Sequence, residues 1–157
     1  MKVKELGHAT LWVSDIGRSV AFYRDLLGLP EVGRLWGGRG VMFSTGRTHH
    51  ELLLIESRLP AAGQRPDPAA GLQQRPPGLD HLGFKIGDSL EELKAAKAEL
   101  EAAGVPIVGM ADHGVSLSLY VLDPDGNQLD LYVDVHPQVW RQNPAAVAVP
   151  PKPLRLD

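Results

Sequence analysis

The chain contains no cysteine, which excludes disulfides, thiolate metal sites and a cysteine nucleophile. An excess of basic charge is also missing: 16 Lys and Arg stand against 19 Asp and Glu, the net charge is −3, and the pI is near 6.0. Nucleic acid binding therefore has no electrostatic support, because it rests on neutralising phosphates. No apolar run approaches the roughly 18 residues of a membrane span. Met1-Lys2-Val3-Lys4 leads straight into a strand-like pattern with no apolar signal core, so a cytoplasmic protein without a membrane partner is the expectation. The 157 residues, 43% of them apolar, suffice for one domain with a continuous core.

Within that domain the sequence repeats itself. Leu6-Gly7-His8 runs on to Asp15 and a helical stretch ending at Gly28-Leu29-Pro30; Leu79-Asp80-His81 runs on to Asp88 and a helical stretch ending at Gly104-Val105-Pro106. In each copy the histidine precedes the aspartate by seven residues. Residues 6–13 alternate as a strand, with His8, Thr10 and Trp12 on one face and Ala9, Leu11 and Val13 on the other. Asp15 then reads as the N-cap of a helix closed by Gly28. Strands follow near 31–36, 40–45 and 49–56. The second copy gives a strand over 79–86, a helix near 89–103 capped by Asp88 or Ser89, and strands near 106–110, 116–122 and 128–134. Asp123-Pro124-Asp125-Gly126-Asn127 is a strong turn signal.

These readings predict an α+β fold. Two tandem βαβββ modules, residues 1–57 and 78–135, form one cup-shaped, partly open eight-stranded β-barrel. A Pro, Ala, Gln and Gly-rich linker over 58–77 joins them, and a Pro-rich tail over 136–157 forms an extended arm or frayed end that covers a partner subunit.

Aligning Gly46 with Gly126 pairs His50 with Asp130, so the repeat offers four quasi-equivalent positions: His8, His81, His50 and Asp130. Two imidazoles and a carboxylate with open coordination positions are the donor set of non-haem iron(II) enzymes that activate oxygen. Nitrogen and oxygen donors without sulfur also suit Mn, Ni or Zn. His49 and His50 are adjacent, so alternation sends only one into the cup, and a slip by one residue would present Glu51 instead. His113 and Tyr120 form a second group that could hydrogen-bond a substrate oxygen. Trp12, Trp36, Phe43 and Tyr132 are candidate walls for an aromatic ligand.

The paired modules, Phe22-Tyr23-Arg24-Asp25-Leu26-Leu27-Gly28-Leu29 and the Asp123 to Asn127 turn resemble the vicinal oxygen chelate superfamily of glyoxalases, bleomycin-resistance proteins, fosfomycin-resistance enzymes and extradiol dioxygenases. Gly46-Arg47-Thr48-His49-His50 and Asp112-His113-Gly114 through Tyr120 are more selective and are similar to extradiol dioxygenases of the catechol type. That resemblance implies that His8, His81 and Asp130 hold iron(II), that His50 is the acid/base, and that His113 and Tyr120 contact the substrate hydroxyls. It further implies cleavage of a catechol-like diol by O2 in a homodimer. The family's carboxylate is normally glutamate, and Asp130 is one methylene shorter. The rival readings are a glyoxalase-like isomerase or metal-dependent thiol transferase, with His50 or Glu51 as fourth ligand, and a bleomycin-resistance-type binding protein without chemistry.

Overall fold

Apolar alternation in the first strand becomes alternation of burial: in β1 (Ala9–Val13), Leu11 and Val13 are buried while Trp12 points to solvent. The computed structural model describes residues 4–58 and 79–156, which belong to two compact units.

In the first unit, Asp15 caps α1 (Ile16–Val20) by accepting the Arg18 N–H. The helix then widens into a π-type turn over Ala21–Leu26, where Leu27 N–H reaches back to Phe22 O. Gly28 closes it at φ +70°, a left-handed conformation that glycine adopts without steric cost. The strands β2 (Glu31–Leu35), β3 (Gly40–Phe43) and β4 (Leu52–Glu56) complete a four-stranded sheet of order β1-β4-β3-β2, with β1 and β4 parallel. Tyr23, Val41, Phe43, Leu52 and Leu54 form its core.

The second unit repeats the plan. β5 (His81–Gly87) leads into α2 (Leu90–Ala102), where Ser89 Oγ accepts from Glu92 N–H and the Glu92 carboxylate in turn accepts from the Asp88 N–H. Gly104, at φ +69°, ends this helix as Gly28 ends the first. β6 (Ile107–Asp112), β7 (Ser116–Leu122) and β8 (Gln128–Asp134) follow. Leu119, Val121, Leu129, Leu131 and Val133 are buried on the sheet face covered by α2 through Leu93 and Leu100. Asp123 sets the β7–β8 turn: its carboxylate accepts from the N–H groups of Asp125 and Asn127 and from Asn127 Nδ2, at 2.9, 2.7 and 2.7 Å.

The expected α+β fold is present: the ladders make two sheets, of four and five strands, not closed into a barrel. The tail departs from expectation. The ninth strand comes from the tail, which forms α3 (Pro137–Gln142), a 3-10 turn over Pro144–Val147 and β9 (Lys152–Pro153) paired antiparallel with β6. This segment is therefore built onto its own unit and is not a frayed end. Of the expected linker, residues 59–77 lie outside the described residues. No helix of the described residues is long and apolar enough to cross a membrane.

Candidate functional site

The parallel pair β5–β8 sets His81 opposite Gln128, Gly83 opposite Asp130 and Lys85 opposite Tyr132. Across β8 from β5, Tyr120 faces Asp130 and Ser118 faces Tyr132. Because strand side chains alternate, His81, Ser118, Tyr120, Asp130 and Tyr132 all emerge on the face opposite α2.

Asp130 is the most informative group on this face. Its Oδ1 is buried and accepts no hydrogen bond. Burial pushes the carboxyl pKa up, offset in part by Ser118 and by the nearby His81 and His113. Ser118 Oγ is itself buried without a well-directed partner, so it supports the carboxylate by proximity and not through a formed bond. Leaving such an oxygen unsatisfied costs about 1–3 kcal/mol, more for a charged group. A divalent cation would satisfy it.

His81 is held ready as a second donor. Its Nδ1 lies 2.7 Å from Asp80 Oδ2, which makes Nδ1 the proton donor and leaves the Nε2 lone pair open. A carboxylate behind an imidazole in this way is the arrangement that orients histidine ligands and raises their basicity. His81 and Asp130 therefore fit a divalent metal with N and O preferences.

Beside them, His113 Nε2 and Tyr120 Oη are 3.0 Å apart, and the Tyr120 ring meets His81 edge-on at 5.6 Å between centroids. His113 is fixed by its own loop: its N–H donates to Ser116 O, Gly114 takes φ +79°, and Asp112 Oδ1 accepts the Gly114 N–H. Burial, then the Asp130 charge, raises the Tyr120 pKa, so the phenol keeps its proton at neutral pH. His81, His113, Tyr120, Asp130 and Tyr132 line one cavity of about 460 Å³, together with Trp140 and Val147 from the C-terminal segment.

The first unit presents a histidine cluster. The rings of His8 and His50 lie 4.4 Å apart, those of His49 and His50 4.5 Å, and the two Nδ1 atoms of His49 and His50 only 2.6 Å, which requires one to donate and the other to accept. Burial lowers the His50 pKa, with His49 and His8 adding to the effect. Arg47 ties this loop to the segment ahead of β1, donating to Leu6 O and Gly7 O at 3.3 and 3.1 Å. Glu51 is consumed locally, accepting the Thr45 N–H at 2.6 Å and lying 3.4 Å from Arg47 Nε.

Two expectations about this region are corrected. His49 and His50 do not alternate on a strand, because β4 begins only at Leu52 and both sit in the preceding loop. Nor is His50 the counterpart of Asp130. Ala9 pairs with Leu52 and its repeat partner Leu82 pairs with Leu129, so Leu53 stands where Asp130 stands and His50 matches Asn127. Among the candidate aromatic walls, Trp12 and Trp36 are exposed and Phe43 is core, which leaves Tyr132. Among the described residues no three His, Asp or Glu side chains form a ready metal cluster; His81 and Asp130 of the second unit share one cavity. Sequence reasoning missed Asp80, Ser118, Arg47 and Trp140. Asp80 carried a signal as the acid directly before a candidate ligand histidine, and Arg47 as part of the Gly46 to His50 stretch.

Residues 5–131 match the family described as Glyoxalase/Bleomycin resistance protein/Dioxygenase superfamily. The chain belongs to this superfamily. It is 30% identical over 138 residues to a catechol-2,3-dioxygenase of Bacillus subtilis (strain 168), covering 88% of this chain but 44% of that protein. The chain thus spans less than half the length of that relative. It is 32% identical over 131 residues to the glutathione transferase FosA of Serratia marcescens, covering 83% of this chain and 82% of that one. Among solved structures, a lactoylglutathione lyase from Agrobacterium tumefaciens superposes with TM-score 0.59 at 25% identity, covering 88% of this chain and 98% of the other. A glyoxalase/dioxygenase from Nostoc punctiforme shares the fold at TM-score 0.66 and 22% identity, covering 83% and 91%. Superfamily members of this fold thus include dioxygenases, a transferase and a lyase, and the α+β architecture of the two βαβββ units is theirs.

Proposed function

We propose that this protein is a non-haem iron(II) extradiol dioxygenase that opens a catechol-like aromatic diol with O2. The observation that carries the reading is the buried, unpartnered Asp130 oxygen beside the oriented His81, in the cavity that also holds the His113–Tyr120 pair. Similarity to a catechol-2,3-dioxygenase supports it. In this reading His8, His81 and Asp130 hold the ion, and iron(II) is the metal, although Mn, Ni or Zn also suit these donors.

When bound, the ion supplies Lewis acidity and the electron path between diol and O2. The chain's own groups place the substrate and move its protons. Tyr120 Oη and His113 Nε2 hydrogen-bond the diol oxygens and hold the ring in one orientation. His50, whose charged form burial disfavours, stays neutral near pH 7; its Nε2 accepts a hydroxyl proton and returns it as the ring opens. Tyr132 forms part of the wall against the ring. The protein acts in the cytoplasm as a homodimer, in aromatic compound catabolism.

A second reading, a glyoxalase-like isomerase or thiol transferase, draws on the similarity to FosA over most of both chains. It needs a fourth ligand, and because Glu51 is taken up by Thr45 and Arg47, His50 would have to serve. A binding protein of the bleomycin-resistance kind would leave the unsatisfied Asp130 oxygen without purpose. The deciding experiment is anaerobic loading with iron(II), then catechol, then air. A yellow ring-opened product is expected; a colourless mixture with no oxygen uptake across a panel of catechols removes the dioxygenase reading.

A further inference from the structure

We propose that the C-terminal segment is the substrate-selecting wall of this site, and that through Trp140 and Val147 it favours catechols carrying an uncharged, apolar substituent. The substrate class rests on the dioxygenase reading; the wall itself rests on the geometry of the second unit.

After β8 the chain forms α3 and the 3-10 turn, then returns to the sheet, where β9 pairs with Ala111 and Asp112 of β6. Leu154 N–H reaches Met110 O, and Leu156 is buried. The segment is thus fastened at both ends, and its middle contributes Trp140 and Val147 to the cavity that holds Asp130, His81 and Tyr120. Val147 is 53% exposed although it lines this cavity, so an apolar group entering there would remove its surface from water. Arg141 lies over the Trp140 indole, 5.2 Å from the ring centroid, and is not itself part of the lining.

Charge points the same way. Among the described residues the lining contains two carboxylates, Asp130 and Asp134, and no lysine or arginine. The nearby cation that touches it, Lys85, is already held by Asp88 at 2.5 Å and Asp134 at 2.9 Å. A carboxylated or phosphonate-bearing substrate would bring an anion toward these carboxylates, with no cationic side chain among the described lining residues to meet it, which is discrimination by repulsion. An alkyl or aryl substituent meets the indole and the valine instead.

The test uses the iron(II)-loaded full chain with methylcatechol, phenylcatechol and a carboxylated catechol. Wild type should favour the apolar pair in kcat/KM by about tenfold or more. Trp140→Ala, checked for fold by circular dichroism, should raise KM for phenylcatechol by about tenfold while kcat changes less. Val147→Lys should shift relative kcat/KM toward the carboxylated substrate by about tenfold. A wild-type preference for the carboxylated catechol, or an unchanged KM in folded Trp140→Ala protein, overturns the proposal. If no catechol is turned over, the dioxygenase reading fails by itself, and the wall is then decided by binding of phenylcatechol to the Mn(II)-loaded chain. Quenching of tryptophan fluorescence that is lost in Trp140→Phe supports the wall; equal quenching in both refutes it.

Discussion

Replacing Asp130 by asparagine should make the metal-free protein more stable while destroying its metal affinity. In the folded chain both Asp130 Oδ1 and Ser118 Oγ are buried without a partner, and burial disfavours the carboxylate's charge. An amide at this position carries no charge and supplies an N–H that Ser118 Oγ can accept. Relief of one unsatisfied buried charged group is worth about 1–3 kcal/mol. With a urea dependence of about 2 kcal/mol per M, mid-range for a small protein, the unfolding midpoint should rise by about 0.5–1.5 M. The assay is urea unfolding of chelator-treated wild type and Asp130→Asn at pH 7, followed by circular dichroism, with metal titration in parallel. A variant less stable than wild type by 1 kcal/mol or more, about the worth of a formed hydrogen bond, would show that the carboxylate is satisfied in the native state and would refute the reasoning.

Three further outcomes follow from the same contacts. Asp80→Asn weakens the acceptor behind His81 Nδ1 at a partly exposed site, so metal affinity should fall about tenfold with little change in unfolding, as read by competition against a chelating dye. Asp123→Ala removes three bonds at the turn feeding β8, and thermal or urea unfolding should register a loss of about 3 kcal/mol. Glu51 has its pKa lowered chiefly by the Thr45 N–H, so its stabilisation is present above the ordinary carboxylate value and lost as pH falls through the folded one. Glu51→Gln should therefore cost about 1 kcal/mol at pH 7 and progressively less below about pH 4, a trend that melting curves across that range would reveal.

Most of the fold was legible because its punctuation is local. Asp15 and Ser89 cap their helices, Gly28 and Gly104 end them at positive φ, and Asp123 organises its turn through bonds to residues within four positions. What depended on loop length was not legible. The loop between Phe43 and Leu52 holds eight residues and that between Leu122 and Gln128 holds five, so counting from the turn glycine misplaced His50 by three against Asp130. The three extra residues put Leu53, not His50, at the position that matches Asp130. The roles of Trp140 and of the tail were hidden for another reason. Proline-rich composition signals the absence of a regular interior, but not the two-residue pairing of β9 with β6 that anchors the segment. Of the site, the second-unit residues His81, His113, Tyr120 and Asp130 do come together, because one face of the sheet carries three of them, from β5, β7 and β8, and the His113 loop adds the fourth.

Where oxygen goes decides the dioxygenase reading. Iron(II)-loaded protein given catechol under labelled dioxygen should release a ring-opened product carrying both labelled atoms, with Asp130→Ala and His81→Ala producing none. Oxygen left unconsumed by a protein shown to be iron-loaded, or the same labelled product from the two variants, would contradict it.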